Sequence, residues 1–555
     1  MASDTLTEEV KREVGQHFIP GFVGQEVTPE VVSLIRNYHV GSIIIMKRNV
    51  TDIPHLRKLI ADLQAVAKDA GHAQPLMIGI DQENGLVSAF STAAPLGGTQ
   101  FPGAMAQAAT GQPEITELVN TSTGREMQLA GINWAFSPVC DINSDPRNPV
   151  IGVRSFGDDP AKVVKFTAAA ARGLTYSGIA PSPKHFPGHG DTHVDSHLGL
   201  PRILKTKEQL EATELVPFKE LVTADVATIM TGHMALPLIV GDDTPCSLSR
   251  KITTNLLRDD LAYKGVIVTD CLEMDAVAAE YGVEQGAVMA LQAGADVVMI
   301  CHRIDRQRGA IEATYKAIQS GELSLGELKA SGGRVRALKE RFSGSWENVL
   351  KTEVDTDLLQ EFKRVNALVS GEAYSKSTAV LRDKKHVIPL KLSEGSLVVF
   401  TPEMETLNRA VDDAENVIRT ADGKLRNTAG PSYTVFAASI AERVPHRSTH
   451  VVYGAGNLPP DDIKDAAAII FTTRNADRST WQIAYLKSLL TKVAPSARII
   501  VLATLTPYEV LEPVAGPDAA YMCSFEFTPQ ALHAAAAVIF GGSKAQGVSP
   551  VQGGD

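Results

Sequence analysis

Short apolar runs rich in β-branched residues recur through the first half of the chain: around Phe18 to Val23, Gly41 to Met46, Pro75 to Asp81, Ile132 to Asp141, Ile179 to His185, Ala227 to His233, Gly265 to Asp270 and Ala295 to Cys301. Each is followed by a polar loop and usually by a stretch whose apolar residues return every three to four positions, as in Ile115 to Ala130, Ala161 to Tyr176 and Ala276 to Ala293. A buried strand and then a one-sided helix, eight times over, predicts a (β/α)8 barrel ringed by helices. Several of the strands end in an ionisable side chain: Asp81, Asp141, His185, His233 and Asp270. Any one of them also reads as a cap or turn former. Together they fall on the C-terminal rim, where barrel enzymes gather their active sites.

The pattern changes near Trp346. Residues up to Ser377 are charged and helix-prone, with Asp355, Asp357, Glu361, Lys363 and Arg364. This divides the chain into a barrel domain at 1–345, a helical linker at 346–376 and a second domain at 377–541. In the second domain Leu397 to Phe400, Tyr433 to Phe436, His450 to Tyr453, Ala468 to Phe471, Arg498 to Ala503 and Ala519 to Phe525 read as buried strands between helices. An α/β/α sandwich is expected there. It contains no Gly-Lys-Ser/Thr phosphate loop and no dinucleotide fingerprint. Residues 542–555, rich in Gly, Ser and Gln, are expected to form a disordered tail. A chain of 555 residues is too long for one ordinary core, in keeping with two domains.

Composition narrows the class. Hydrophobic residues at 44% and charged residues at 21% describe a globular protein. The net charge of −11 has no basic stripe to neutralise phosphates, which argues against nucleic acid or an anionic membrane as partner. Met1 to Val14 carries Asp4, Glu8, Glu9, Lys11, Arg12 and Glu13 where a secretory signal would be apolar, and no apolar run reaches membrane-spanning length. A cytoplasmic location is the expectation. Cys140, Cys246, Cys271, Cys301 and Cys523 are odd in number, lie in mostly apolar surroundings and lack paired metal-type spacing. They are expected to be buried free thiols.

The densest chemistry lies in Lys184-His185-Phe186-Pro187-Gly188-His189-Gly190, followed four residues later by Asp195-Ser196-His197. Histidines at 185, 189, 193 and 197 would line one face of a helix, but Pro187, Gly188 and Gly190 forbid it. An ordered loop after a strand is expected. The same histidines with Asp191 could ligate a metal in a barrel metallohydrolase. Such sites usually also draw histidines from the first strand, and Ile19-Pro20-Gly21-Phe22 supplies none. A non-catalytic sugar-binding or scaffold protein is a further alternative.

The stretch 184–197 resembles the signature of the β-N-acetylglucosaminidases of glycoside hydrolase family three: Lys-His-apolar-Pro-Gly-His/Leu-Gly, four free positions, Asp-Ser/Thr-His. The resemblance extends over about residues 10 to 340. Thr269-Asp270-Cys271-Leu272-Glu273-Met274 resembles the family's nucleophile segment, with Cys271 in place of a frequent second acid. Asp81-Gln82-Glu83-Asn84-Gly85 resembles its Asp-Gln-Glu-Gly-Gly turn, where Asn84 replaces a glycine, as a residue tolerant of left-handed backbone angles can. Leu86 stands where an arginine is frequent. Asn148 to Gly157 resembles a third family segment, and Ala379 to Leu390, more weakly, the start of its second domain.

The resemblance implies a retaining exo-β-N-acetylglucosaminidase that hydrolyses terminal N-acetylglucosamine from chitooligosaccharides or cell-wall fragments. A family-three β-glycosidase or an N-acetylglucosaminide phosphorylase is the alternative. Retention needs an acid for the leaving oxygen and a carboxylate that traps the anomeric carbon. Asp270 is implied as nucleophile and His197 as acid/base, since an imidazole titrates near neutrality, with Asp195 orienting it. Asp191 and His193 form a competing pair that spacing does not eliminate; the family pattern favours Asp195 and His197. Asp81, Arg154, Lys184 and His185 are implied in sugar binding, although Arg154 also reads as a surface ion-pair residue. His233 and Met234 read either as pocket walls or as strand-end packing. No metal or organic cofactor is implied, and the partner is a β-linked N-acetylglucosamine oligosaccharide.

Overall fold

The computed structural model describes residues 6–192, 199–403 and 430–552. In its first part eight parallel strands follow one another in chain order: β1 (Phe18–Pro20), β2 (Ser42–Ile45), β3 (Met77–Ile80), β4 (Trp134–Ala135), β5 (Ala180–Pro181), β6 (Thr228–Thr231), β7 (Val266–Cys271) and β8 (Val297–Ile300). They pair as two four-stranded sheets, ordered β1-β8-β7-β6 and β2-β3-β4-β5. Single parallel bridges, Gly21 to Ile44 and Phe186 to Thr231, join the sheets at both ends. The strands are apolar throughout because both faces are covered: Ile43, Ile45, Ile78 and Ile80 pack outward with the helices, while Ile19, Ile44, Met77, Trp134 and Met230 form the inner cluster.

The helices between them form for local reasons. The helix Ile53–Asp69 starts at Asp52, whose carboxylate accepts the N–H of His55 at 2.8 Å, and it buries Leu56, Leu59, Ile60 and Leu63 on one face. The helix Pro113–Ala130 stops at Gly131, which takes the left-handed φ of 91°. The stretch from Ala276 to Ala293, which sequence periodicity reads as one helix, is two: Asp275–Ala278 and Val283–Ala293, interrupted by Gly282 at φ 73°. No helix among the described residues is long and apolar enough to cross a membrane.

A long helix, Thr356–Ser377, leads to a six-stranded sheet formed by β9 (Ala379–Arg382), β10 (Ser396–Pro402), β11 (Ser448–Tyr453), β12 (Ala466–Thr473), β13 (Arg498–Ala503) and β14 (Ala520–Cys523). The order is β9-β14-β13-β12-β10-β11, with β9 antiparallel to β14 and the other pairings parallel. Two expectations are corrected here. Tyr433 to Phe436 is not a strand but lies in the helix Pro431–Arg443, where Pro431 starts the first turn and Tyr433, Phe436, Ala437 and Ile440 recur on the buried face. Residues 542–552 are not a disordered tail: Gly547 bridges Ala379, the N–H of Val548 donates to Ala109, that of Gln552 to Asp158, and Val551 is buried. Backbone pairing replaces the side-chain burial that their composition lacks.

The second part is tied to the first beside the strand ends. Tyr374 and Thr528 donate to one oxygen of the buried Glu526 carboxylate, and the N–H of Gly103 donates to the other at 2.7 Å. Arg478 reaches the carbonyl of Asn148 at 3.3 Å, and Asn143 donates to the Tyr508 hydroxyl at 2.6 Å.

Candidate active site

Two carboxylates and two cations meet where β3, β5 and the 148–157 segment converge. After β3 the chain turns through a short hairpin, Gln82–Asn84 against Val87–Ser88, in which Asn84 adopts φ 69° and Gly85 φ 62°. A Cβ on Gly85 would lie 2.6 Å from the Cα of Gly103, so the hairpin can pack here only with glycine. The turn places Glu83 inside. Arg154 grips it through two parallel bonds of 2.9 and 2.8 Å, and Lys184 adds a third contact at 2.8 Å. Lys184 also donates to Asp81 at 2.8 Å. Burial opposes ionisation of Glu83, but Arg154 and Lys184 more than offset it and hold the carboxyl well below its usual range. Burial likewise opposes the charge on Lys184, and Asp81 and Glu83 raise it to about 12. Asp81, about a third exposed, is the member of this quartet left open to a ligand.

The 184–192 segment is held from beneath by Asp141 at the end of β4. Its carboxylate accepts the backbone N–H of His185 at 3.1 Å, that of His189 at 2.7 Å and the ring Nδ1–H of His185 at 2.6 Å. Burial works against the charge on Asp141, and His185 outweighs it, so its pKa is lowered. Because Nδ1 faces Asp141, Nε2 of His185 is turned toward Arg154 at 3.4 Å and Asp270 at 3.9 Å. Asn148 braces the same segment, donating to the carbonyls of His189 and Gly190 and to Thr192. Burial lowers the pKa of His189 to about 4, so it is uncharged at neutral pH.

Asp270 closes β7 with its side chain about one-fifth exposed. Burial raises its pKa, but His185, His233 and Lys184, helped by the Cys271 N–H at 2.7 Å, bring it down to about 2. It is therefore an anion at neutral pH. An ionised, partly open carboxylate beside a rigid polar cluster has what a nucleophile at an anomeric carbon requires.

Of the two readings given for His233 and Met234, their burial favours packing. His233 is buried with both ring nitrogens engaged, Nδ1 with Ser247 at 2.7 Å and Nε2 with the carbonyl of Cys271 at 3.0 Å, so it steadies the end of β7 rather than walling a pocket. Met234 is wholly buried in the main apolar cluster with Leu236 and Cys246 and is strand-end packing. Arg154 is not the surface ion-pair residue of the alternative reading: it is buried, and so is the side chain of Glu83, the carboxylate it pairs with. Sequence reasoning missed the bracing roles of Glu83, Asp141 and Asn148; the first two are acids at or just beyond strand ends, which was the available signal. Asp191 pairs with Lys205 at 3.0 Å. Asp195, His197 and His193 lie outside the described residues.

The family model described as the glycosyl hydrolase family 3 N terminal domain matches residues 9–338. The chain belongs to glycosyl hydrolase family 3. Among the family's members, beta-hexosaminidase A of Pseudoalteromonas piscicida is 33% identical over 338 residues, covering 57% of this chain and 56% of that protein. Two solved family-3 β-N-acetylglucosaminidases extend the likeness to both parts of the chain. One, from a fungal multi-domain protein, has TM-score 0.88 and 34% identity, covering 98% of this chain and 61% of that one. The other, from Paenibacillus sp. str. FPU-7, has TM-score 0.82 and 31% identity, covering 99% of each. The chain thus spans a little over half of the Pseudoalteromonas relative and about three-fifths of the fungal one.

The Glu83 cluster carries a stability prediction within this family-3 site. Removing the carboxylate in Glu83→Ala strands the buried Arg154, leaves Lys184 with Asp81 alone, and is expected to cost about 3–5 kcal/mol at neutral pH. Glu83 and Asp141 have folded pKa values below their unfolded ones. Their contribution is therefore complete above the ordinary carboxylate range, roughly pH 4, and is lost as pH falls through the lowered values. Denaturant unfolding at stepped pH should show the penalty of Glu83→Ala shrinking toward acid; a penalty that is pH-independent would contradict the ion-pair origin.

Proposed function

We propose that the chain is a retaining exo-β-N-acetylglucosaminidase acting by double displacement through a glycosyl-Asp270 intermediate. The observation that carries the reading is the ionised, partly open Asp270 carboxylate, held at the end of β7 within 3.9 Å of His185 and beside the Lys184–Asp81 pair. In this reading Asp81, with Lys184, Arg154 and His185 around it, receives sugar hydroxyls. His197, oriented by Asp195, protonates the leaving oxygen and then activates water. The family membership and the two solved β-N-acetylglucosaminidases support the substrate class. The eight-strand order and the bridges at both sheet ends support a closed (β/α)8 barrel, and the second sheet with its intervening helices supports an α/β/α sandwich. The five free, buried thiols support a reducing, cytoplasmic setting.

Phosphate could replace water only if the site attracted it. A neutral imidazole base would not repel an anion as a carboxylate does, but Lys184 and Arg154 are already matched by Asp81 and Glu83. Hydrolysis is the reading that this charge balance supports. The test is turnover of an aryl β-N-acetylglucosaminide against the aryl β-glucoside in rising phosphate. The N-acetylated substrate should be turned over preferentially, giving free N-acetylglucosamine at an unchanged rate. Preference for the glucoside would overturn the substrate assignment, and N-acetylglucosamine 1-phosphate as main product would overturn hydrolysis.

A further inference from the structure

Just behind Asp270, the ends of β7 and β8 bring together two thiols and an imidazole that the sugar chemistry does not use. A sulfur atom from each of Cys271 and Cys301 and a ring nitrogen of His302 all lie within 4.8 Å of one another. We propose that these three side chains, with Glu273, form a binding site for a thiophilic divalent cation such as Zn2+ or Cd2+, and that its occupancy suppresses activity at the neighbouring sugar site.

The donor set fits such an ion. Two thiolates and an imidazole are ligands that soft and borderline cations prefer over Mg2+ or Ca2+. Glu273 is in reach of the fourth position: Oε2 lies 3.9 Å from the Cys271 sulfur, and the same carboxylate accepts the N–H groups of His302 and Arg303 at 2.6 and 3.1 Å, which fixes the backbone of the third ligand. Arg48 comes within 3.2 Å of Nδ1 of His302. A guanidinium only donates, so Nδ1 is the acceptor of that bond, and a cation that takes this nitrogen displaces the Arg48 contact and uses the same lone pair. Charge also balances. Each thiol releases its proton to solvent as its metal–sulfur bond forms, and the resulting two thiolates and Glu273 offset one divalent ion and Arg48.

A disulfide suits the geometry less well. Cys271 pairs with Met299 across the strands, so Cys301 is two residues further along. Diagonal neighbours in a sheet lie roughly 7–8 Å apart at Cα, beyond the ~4.4–6.8 Å a disulfide usually spans. A metal bridging two sulfurs tolerates the wider separation.

The consequence for activity, which rests on the function proposed above, follows from position. Cys271 is the residue after Asp270, and Cys301 lies near enough to both Asp81 and Asp270 for their charges to act on its thiol. A bound cation would stabilise those carboxylates as anions and lower the nucleophilicity of Asp270.

The test is titration of the reduced chain with Cd2+ in the absence of air. We expect a thiolate-to-cadmium ultraviolet band that saturates at one equivalent, is lost in Cys301→Ser and Cys271→Ser, and survives in Cys523→Ser, whose thiol lies in the second sheet. No band, or a band that persists in Cys301→Ser, would overturn the site. In parallel, Cd2+ should depress turnover of the wild type and leave Cys301→Ser unaffected; a saturated band with undiminished turnover would overturn the inhibitory role. The band is read without substrate, so failure of the glycosidase assignment would leave it intact and distinguishable.

Discussion

Asp270→Ala should abolish all but a residue of turnover, a loss of several orders of magnitude, while the chain still folds. The carboxylate accepts a hydrogen bond from the neighbouring Cys271 N–H and its side chain is partly open, so the core of β7 does not depend on it. Its removal takes away the atom that would bond to the anomeric carbon. A tenfold loss corresponds to only about 1.4 kcal/mol of barrier, far less than a covalent nucleophile supplies. Steady-state kinetics on an aryl N-acetylglucosaminide check the point, with circular dichroism confirming the fold. Retention of more than about a tenth of wild-type kcat/KM would remove Asp270 from the nucleophile's role.

The second large effect concerns the proton donor. His197→Ala should lower the rate by about 10² to 10⁴ on substrates whose leaving group must be protonated, and by much less on an activated aryl glycoside. Asp195→Ala should show the same dependence in milder form, because in the proposed mechanism it orients the imidazole and supports its charge without itself transferring the proton. A plot of log kcat/KM against leaving-group pKa separates the candidates: a steep slope acquired by His193→Ala and not by His197→Ala would make Asp191 and His193 the pair. Asp191 already carries an ion pair with Lys205, which gives it a structural occupation that competes with that role.

Much of this arrangement was legible in the chain, because burial on both faces forces strands into apolar runs and their parallel pairing places their C-terminal ends on one side. All eight apolar segments contain a strand, and Asp81, His185 and Asp270 meet as their strand-end positions implied. What escaped were features that depend on partners distant in sequence. Glu83 looked like part of a turn until Arg154 and Lys184 arrived from 71 and 101 residues away. His233 and Met234 read equally as pocket walls or as strand-end packing, because only distant partners distinguish the two: Ser247 and the Cys271 carbonyl occupy the histidine ring and the core takes the methionine. Tyr433 to Phe436 has strand composition, but Pro431 and the spacing of its aromatic residues suit a helix packed on the second sheet. Residues 542–552 carry too little apolar surface to announce their order, and Gly547 and Val548 are held through backbone pairing with Ala379 and Ala109.

The measurement closest to the central claim is capture of the glycosyl-enzyme. A ring-fluorinated N-acetylglucosaminyl fluoride slows both displacement steps but leaves a good leaving group for the first, so the covalent adduct should accumulate. Intact mass should rise by one sugar per chain, and peptide mapping should place that mass on the fragment containing Asp270, with no labelling of Asp270→Ala. Label on the fragment carrying Asp81 and Glu83, or complete inactivation with no covalent adduct, would contradict double displacement through Asp270.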